Sequence, residues 1–395
     1  MTDRSRHVAF VCPRFAEGPT VGGAETLLKN LARRIALSGR KVTFLTTCAR
    51  NHFTWENELP AGSRTIDDID VHFFPVDPER NVTEFLNIQS LISANCRVSV
   101  ADELIWLQNS VNSGSLCDYL KENGNTYDRI VMGPYLFGLI YFASQIYPEK
   151  TLLVPCLHDE SFAYLKSIGN MFNNVRGCMF NSVPEKELAS RLYVMEKSSV
   201  SSVVGMGMDD FATTPGIFKS AHDIRSQYLI YSGRREPLKG TPLLIDYLNA
   251  FRSRTNRDVK LVLTGTGHAE IPEELTNSII DLGFLSEKDK HAAMADAVAF
   301  CHPSVNESFG IVLMESFLAG TPVLVHSKSA VLKYHCKQSN AGFWFNSYPE
   351  FEEELQLLLN NQKLRNAMGN AGRQYVLKEH SWHHIDEKLF VALEK

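Results

Sequence analysis

The chain lacks a basic excess. Lys and Arg number 40 against 45 Asp and Glu, a formal net charge of −5 over 395 residues. A general nucleic-acid binder carries the opposite balance, so no nucleic-acid partner is expected, and any site for a polyanion must be a local cluster. Long hydrophobic runs are missing too. No stretch approaches the ~20 apolar residues that a bilayer-spanning helix needs. The apolar run after Met1-Thr2-Asp3-Arg4-Ser5-Arg6 stops at Pro13, too short for the hydrophobic part of a secretory leader. The eight cysteines (Cys12, Cys48, Cys96, Cys117, Cys156, Cys178, Cys301 and Cys336) include no C-x-x-C pair. That spacing disfavours a zinc cage and reads as buried thiols in a reducing, cytoplasmic compartment. There is no short-period repeat, no low-complexity tract and no G-x-G-x-x-G dinucleotide fingerprint.

What is present is a globular composition, 44% hydrophobic and 22% charged, on a chain long enough for two domains. Short apolar runs alternate with longer amphipathic ones. His7–Cys12, Lys41–Thr46, Val71–Pro75, Arg129–Met132 and Thr151–Val154 read as strands. Ala24–Leu37 reads as a helix on the spacing of Leu27, Leu28, Leu31, Ile35 and Ala36, and Leu136–Ile146 as another. Asn81–Val111 can be helical. A second series holds strands at Tyr228–Ser232, Lys260–Thr264, Ile279–Gly283, Ala297–Cys301 and Pro322–Val325. Its helices are Leu243–Arg252, a capped one from Ser286 to about Asp296, Glu352–Leu359 and Gln362–Glu379, with a last helix at Ser381–Glu394. Strand–helix alternation implies parallel sheets, hence an α/β fold of two similar halves with a ligand cleft at the carboxyl ends of the strands. We place the halves at 1–205, with the last helix at about 381–395, and 206–380.

Four stretches carry candidate chemistry. Glu307-Ser308-Phe309-Gly310-Ile311 through Glu315 follows a strand and opens a helix, whose free N–H groups and positive dipole end suit an anion. Gly310 lets the backbone approach a phosphate, Glu307 can accept from sugar hydroxyls, and Glu315 can hold a ribose diol. Taken alone, the stretch is equally a βα unit with two solvent-facing carboxylates. Gly233-Arg234-Arg235-Glu236-Pro237-Leu238-Lys239-Gly240 is a tight loop directly after a strand. Arg234 and Lys239 can converge there on a diphosphate without a metal; the plainer reading is a basic surface turn. Gly22-Gly23-Ala24-Glu25 separates the first strand from the first helix and permits close approach of a phosphate or sugar. His158-Asp159 lies just past a strand, where Asp159 also suits a helix cap.

The ordered set resembles retaining glycosyltransferase family four, the group 1 transferases with the GT-B fold of two Rossmann-like domains around a central cleft. The E-x7-E pair matches Glu307 and Glu315, the G-R…K-G loop matches Gly233, Arg234, Lys239 and Gly240, and G-G-x-E matches Gly22, Gly23 and Glu25. H-D matches His158 and Asp159, and G-x-D matches Gly207 and Asp209. The resemblance implies a nucleotide-sugar donor in the C-terminal half, a glycan or lipid-linked acceptor in the N-terminal half, and retaining chemistry with no metal or other cofactor. It implies that Arg234 and Lys239 hold the diphosphate, Glu307 the transferred sugar and Glu315 the ribose. The backbone at Phe309–Ile311, next to Ser308, would contact phosphate, His158 would lie beside the reacting sugar, and Gly22 and Gly23 would approach the phosphate. The last helix would cross back to the N-terminal domain. Arg235 and Glu236 crowd the loop with extra charge, and Met206-Gly207-Met208-Asp209 lacks the proline often found there.

Other readings compete. Asp68-Ile69-Asp70 is the D-x-D of metal-dependent transferases, but it precedes a strand and reads better as a charged turn. A nucleotide-sugar epimerase or phosphorylase on the same fold would need an acid–base pair or a pyridoxal lysine, and a non-catalytic nucleotide-sugar binder would need neither. Lys29, Arg33, Arg34, Arg40 and Lys41 could give weak, salt-sensitive contact with a membrane surface, though a solvated helix face explains them as well. Tyr135 fits a cleft wall or the core.

Overall fold

The computed structural model describes residues 6–15, 22–195 and 200–395. The N-terminal reading of Met1–Ser5 and the Val21 before the glycine pair lie outside them. The chain divides into two compact units, one running through Met206 and taking up the chain again at Asp386–Lys395, the other Gly207–Ile385.

The first unit is built on eight strands: β1 (His7–Val11), β2 (Lys41–Thr47), β3 (Gly62–Ile66), β4 (Ile69–Phe74), β5 (Arg129–Met132), β6 (Thr151–Leu153), β7 (Gly177–Phe180) and β8 (Val200–Val203). Their order is β3-β4-β2-β1-β5-β6-β7-β8. All neighbours are parallel except the edge pair β3–β4. Interior strands covered on both faces can be apolar throughout, which is why Ala9, Phe10 and Val11 are all fully buried. Helix Gly23–Leu37 buries Leu27, Leu28, Leu31, Ala32 and Ile35, the face its spacing predicts.

Several elements differ from the sequence reading. β3 turns into β4 through Asp67 and Asp68, both at positive φ (52° and 62°), the backbone a tight hairpin demands. The D-x-D is therefore split between a turn and a strand, where Asp70 faces His72 Nε2 at 3.0 Å. The stretch 81–111 forms two helices, Val82–Ser93 and Val100–Asn109, the second started by a Ser99–Asp102 capping box. β7 and the helices Lys166–Asn174 and Val183–Leu192 were not anticipated; a four-residue buried strand has no alternation to read.

The second unit holds β9 (Gln227–Ser232), β10 (Val259–Thr264), β11 (Ile279–Asp281), β12 (Ala299–His302), β13 (Val323–His326) and β14 (Gly342–Phe345). All are parallel, in the order β11-β10-β9-β12-β13-β14. β14 and the helix Ala330–Ser339 before it were also missed. Trp382–Glu394 is the last helix. It begins against Gly207, where an added Cβ would meet the Trp382 ring at 2.2 Å. On the first unit, Arg34 Nε bonds Asp386 Oδ1 at 2.9 Å and Arg40 bonds Glu394 Oε1 at 3.1 Å. With Lys29 paired to Asp67 at 3.1 Å, three of the five cations read as a membrane-facing group are matched by carboxylates of their own unit. The eight cysteines are free thiols, six of them buried.

Candidate functional site

In the second unit the chain runs from β9 outward to β11, then returns to the other side of β9 to lay down β12 and continue to β14. The edge between β9 and β12 is thus a topological switch point, where the loops leaving the carboxyl ends diverge and open a crevice. The two strongest sequence candidates leave from these two strands. Gly233–Gly240 follows β9, and residues 303–310 follow β12.

The loops meet at Gly240. Its φ is +77°, and a Cβ there would stand 2.9 Å from the Pro303 carbonyl oxygen, so only glycine fits both the backbone and the contact. This contact brings Lys239 to Glu307. Lys239 Nζ donates to Glu307 Oε1 at 2.7 Å, and His302 Nε2 lies 3.1 Å from the same oxygen. Burial alone would push the Glu307 carboxyl up. The Lys239 ammonium and the His302 hydrogen bond outweigh it and hold the group well below the usual carboxylate range.

Beyond Glu307, Gly310 (φ 87°) is the N-cap of helix Ile311–Leu318 and supplies no side-chain cap; the Leu313 amide bonds the Gly310 carbonyl at 3.0 Å, which leaves the Ile311 and Val312 amides to an incoming acceptor. Phe309 is buried against His380 and His335, with ring centroids 5.3 and 5.8 Å apart, and pins the loop. Ser308 and Ile311 are half-buried beside it.

The adjacent arginines part company. Arg234 is half-exposed, its Nη2 3.4 Å from Glu236 Oε1. Arg235 is buried, forms an ion pair with Asp281 and donates to the Gly265 carbonyl at 2.7 Å. It ties the β9 loop to the β10 and β11 loops, so the charge that crowded the sequence motif is turned aside. Gly233 precedes both at φ 151°.

Glu315 is not solvent-facing. Lys290 Nζ donates to its Oε1 at 3.0 Å and also to Glu287 at 2.9 Å. These carboxylates raise the Lys290 pKa against the opposing effect of burial. His291 stacks on Phe211 with centroids 3.6 Å apart, and burial lowers it to about 4, so it is neutral at pH 7. Two polar atoms of this cluster, His291 Nε2 and Glu315 Oε2, are buried without a well-directed hydrogen bond. Ligand atoms of Glu287, His291 and Glu315 lie within 4.8 Å of one another, near enough for a metal ion. The Lys290 ammonium already stands between the two carboxylates, where a cation would sit. His302, Lys290, Glu287 and His291 escaped the sequence reading. The only available signal was His302 at the end of a strand.

The remaining candidates belong to the first unit. Gly22 is the N-cap of Gly23–Leu37 without a side-chain bond, and Glu25 in the first turn accepts from Arg14 Nε at 3.1 Å. His158 follows β6, with Nδ1 3.4 Å from Glu160 Oε1. Glu160 accepts from the Tyr135 hydroxyl at 2.9 Å, which makes Tyr135 a fully buried residue whose polar tip reaches the His158 turn. Asp159 is bound by the Tyr164 hydroxyl at 2.7 Å. A cavity of about 560 Å³ lies in the same unit, lined among others by Ile92, Arg97, Val98, Tyr164 and Lys166.

Residues 215–375 match the family "Glycosyl transferases group 1". The phosphatidyl-myo-inositol mannosyltransferase of Mycobacterium leprae is 27% identical over 198 residues, 48% of this chain and 52% of that protein. The chain spans about half the length of the curated relatives it matches. Among solved structures, sucrose-phosphate synthase from Thermosynechococcus elongatus superposes with a TM-score of 0.73 at 15% identity, covering 98% of both chains. Anabaena HepE in complex with UDP-glucose gives 0.68 at 17%, covering 98% of this chain and 99% of the other. These likenesses establish the GT-B fold. The segment that matches the group 1 glycosyl transferases, residues 215–375, holds the Gly233–Gly240 loop, Glu307 and Glu315.

Proposed function

We propose that the chain is a retaining, metal-independent glycosyltransferase that moves a hexose from a UDP- or GDP-sugar to a glycan, glycolipid or small-molecule acceptor. The observation that carries this reading is the meeting of Lys239 and Glu307, 68 residues apart in sequence, at the switch point of the second sheet. Lys239, Arg234 and the uncapped helix start supply positive charge for a leaving diphosphate. Glu307 keeps Oε2 for a sugar hydroxyl. Glu315, its carboxylate held by the Lys290 ammonium, and the buried His291 Nε2 beside it suit the vicinal diol of a ribose. Glu307, pinned and ionised, makes a poor proton acceptor, so the leaving diphosphate would take the acceptor's proton as both react on one face of the sugar. The UDP-glucose held by HepE supports a UDP-sugar donor, and the mannosyltransferase named above supports a glycolipid acceptor. The cavity of the first unit is the acceptor site we favour. Among the described residues no helix is long and apolar enough to cross a membrane.

Turnover of a panel of nucleotide sugars, with the product's anomeric configuration read by NMR, tests the reading; inversion would overturn the retaining assignment. Transfer should persist unchanged in excess EDTA. Loss that added Mn²⁺ or Mg²⁺ restores would overturn metal independence. Glu315→Ala should raise the donor KM by about 10- to 100-fold, as expected for losing a hydrogen bond to a charged group, with kcat little changed. An unaltered KM would remove Glu315 from the donor site.

A further inference from the structure

We infer that His302 is a positioning residue, the group that holds the Glu307 carboxylate in place when Lys239 turns to the donor diphosphate. This inference rests on the donor site proposed above. Both Lys239 and His302 address one oxygen, Oε1 of Glu307, at 2.7 and 3.1 Å. Among the described residues Oε2 has no hydrogen bond, so it is the oxygen open to a ligand. In the proposed donor site Lys239 is a cation for the diphosphate, and it is also the charge that compensates Glu307. One ammonium cannot serve both with the same geometry. As it moves toward phosphate, Glu307, with its side chain only 15% exposed, would be left as a buried anion without its main partner, a costly state.

His302 is built to remain. It ends β12, and its side chain is 7% exposed. Nδ1 is buried without a partner, so its contact with Glu307 is the ring's hydrogen bond. The tautomer that satisfies this network carries its proton on Nε2 and donates it to Oε1. The groups around the pair do not take over the task. Tyr231 of β9, with its ring 6.2 Å from that of His302, has its phenol pushed up by burial first and then by Glu307, so it stays neutral. Its hydroxyl is committed to the Arg234 carbonyl at 2.6 Å. Phe300 packs 5.5 Å away on the same strand and is apolar. Arg234 and Glu236 act on Tyr231 from the loop. Lys239 is the remaining charge facing Glu307, and it is the one that leaves.

The test compares His302→Leu, which removes the donor, with His302→Gln, which keeps an N–H at similar reach. UDP-glucose and GDP-mannose serve as donors and UDP as the binding probe. His302→Leu should lower kcat by about 10- to 100-fold, the loss of one charge-assisted hydrogen bond, with UDP affinity and donor KM within about twofold. It should also move the acid limb of the kcat–pH profile to higher pH, because Glu307 loses a donor that favours its ionised form. His302→Gln should recover most of kcat. Where the leucine variant does not fold, His302→Phe keeps the ring and takes its place. A leucine or phenylalanine variant with wild-type kcat and an unmoved acid limb overturns the inference. So does one whose kcat loss comes with weakened UDP binding and an unmoved limb, since that is general damage. A wild-type protein that turns over neither donor removes the donor-site reading, and the role of His302 with it.

Discussion

Lys239→Ala and Glu307→Ala each reduce transfer by about a thousandfold, the scale of losing one preorganised charge aimed at the transition state, while the protein stays folded. Of the three loop cations Arg235 is turned to Asp281, and the Lys239 ammonium is only 24% exposed. In that partly dry position its attraction for a departing diphosphate is screened less than at an open surface. Glu307 fails for a different reason, because its free oxygen has no substitute for orienting the sugar. Each substitution also breaks a half-buried ion pair. Full burial would put that at roughly 3–5 kcal/mol, and the residual exposure brings it nearer 2, tolerable for a protein of ordinary stability. Circular dichroism and a melting curve separate this cost from catalysis. The double variant should be little worse than either single one, since both act on one leaving-group geometry. Turnover of either single variant near the wild-type rate would sink the assignment.

Much of this site was legible in the sequence, and for a physical reason. In a parallel α/β unit, function gathers in the loops after strands, so a glycine-bounded basic loop after Tyr228–Ser232 and a carboxylate-flanked helix start after Ala297–Cys301 were readable one at a time. Their meeting was not. It depends on β12 returning beside β9, a pairing made across about 70 residues by packing and by hydrogen bonds that no local pattern spells out. His302 and Lys290 were silent for a related cause, since a single polar residue at a strand end or on a helix carries no periodicity. Short buried strands such as Gly177–Phe180 and Gly342–Phe345 were missed because uniform burial erases alternation. The two carboxylates that spacing alone left open between a ligand role and a solvent-facing one are held by Lys239, from the loop after β9, and by Lys290, from helix Glu287–Ala295.

Arg234 and Arg235 make the sharpest test, because the sequence motif sets Arg234 on the diphosphate and leaves its neighbour as extra charge, while the structure buries Arg235 in an ion pair. Arg235→Ala should destabilise the protein and Arg234→Ala should not. The buried Arg235 guanidinium joins three strand ends. It pairs with Asp281 at the end of β11 and bonds the Gly265 carbonyl after β10, while its own backbone N–H donates to the Thr266 carbonyl at 2.8 Å. Removing the side chain leaves the Gly265 carbonyl without this donor and the Asp281 carboxylate without its cation, with the Gly283 N–H at 3.0 Å still on Oδ1. A fully buried pair would cost about 3–5 kcal/mol, and because Asp281 is 35% exposed the expected loss is about 2–3 kcal/mol. For a unit of this size that lowers the melting temperature by roughly 5–10 °C. Arg235→Lys should recover only part of it, since an ammonium cannot span carboxylate and carbonyl as the planar fork does. Arg234, 48% exposed, should shift the melting temperature by no more than about 2 °C when truncated, as surface substitutions generally do. Its effect should appear in kcat, down about a hundredfold if its charge faces the leaving diphosphate. Melting curves and initial rates on the two variants decide it. An Arg235→Ala protein that melts like wild type would break the structural argument for the loop, and an Arg234→Ala enzyme of normal rate would take that arginine out of the donor site.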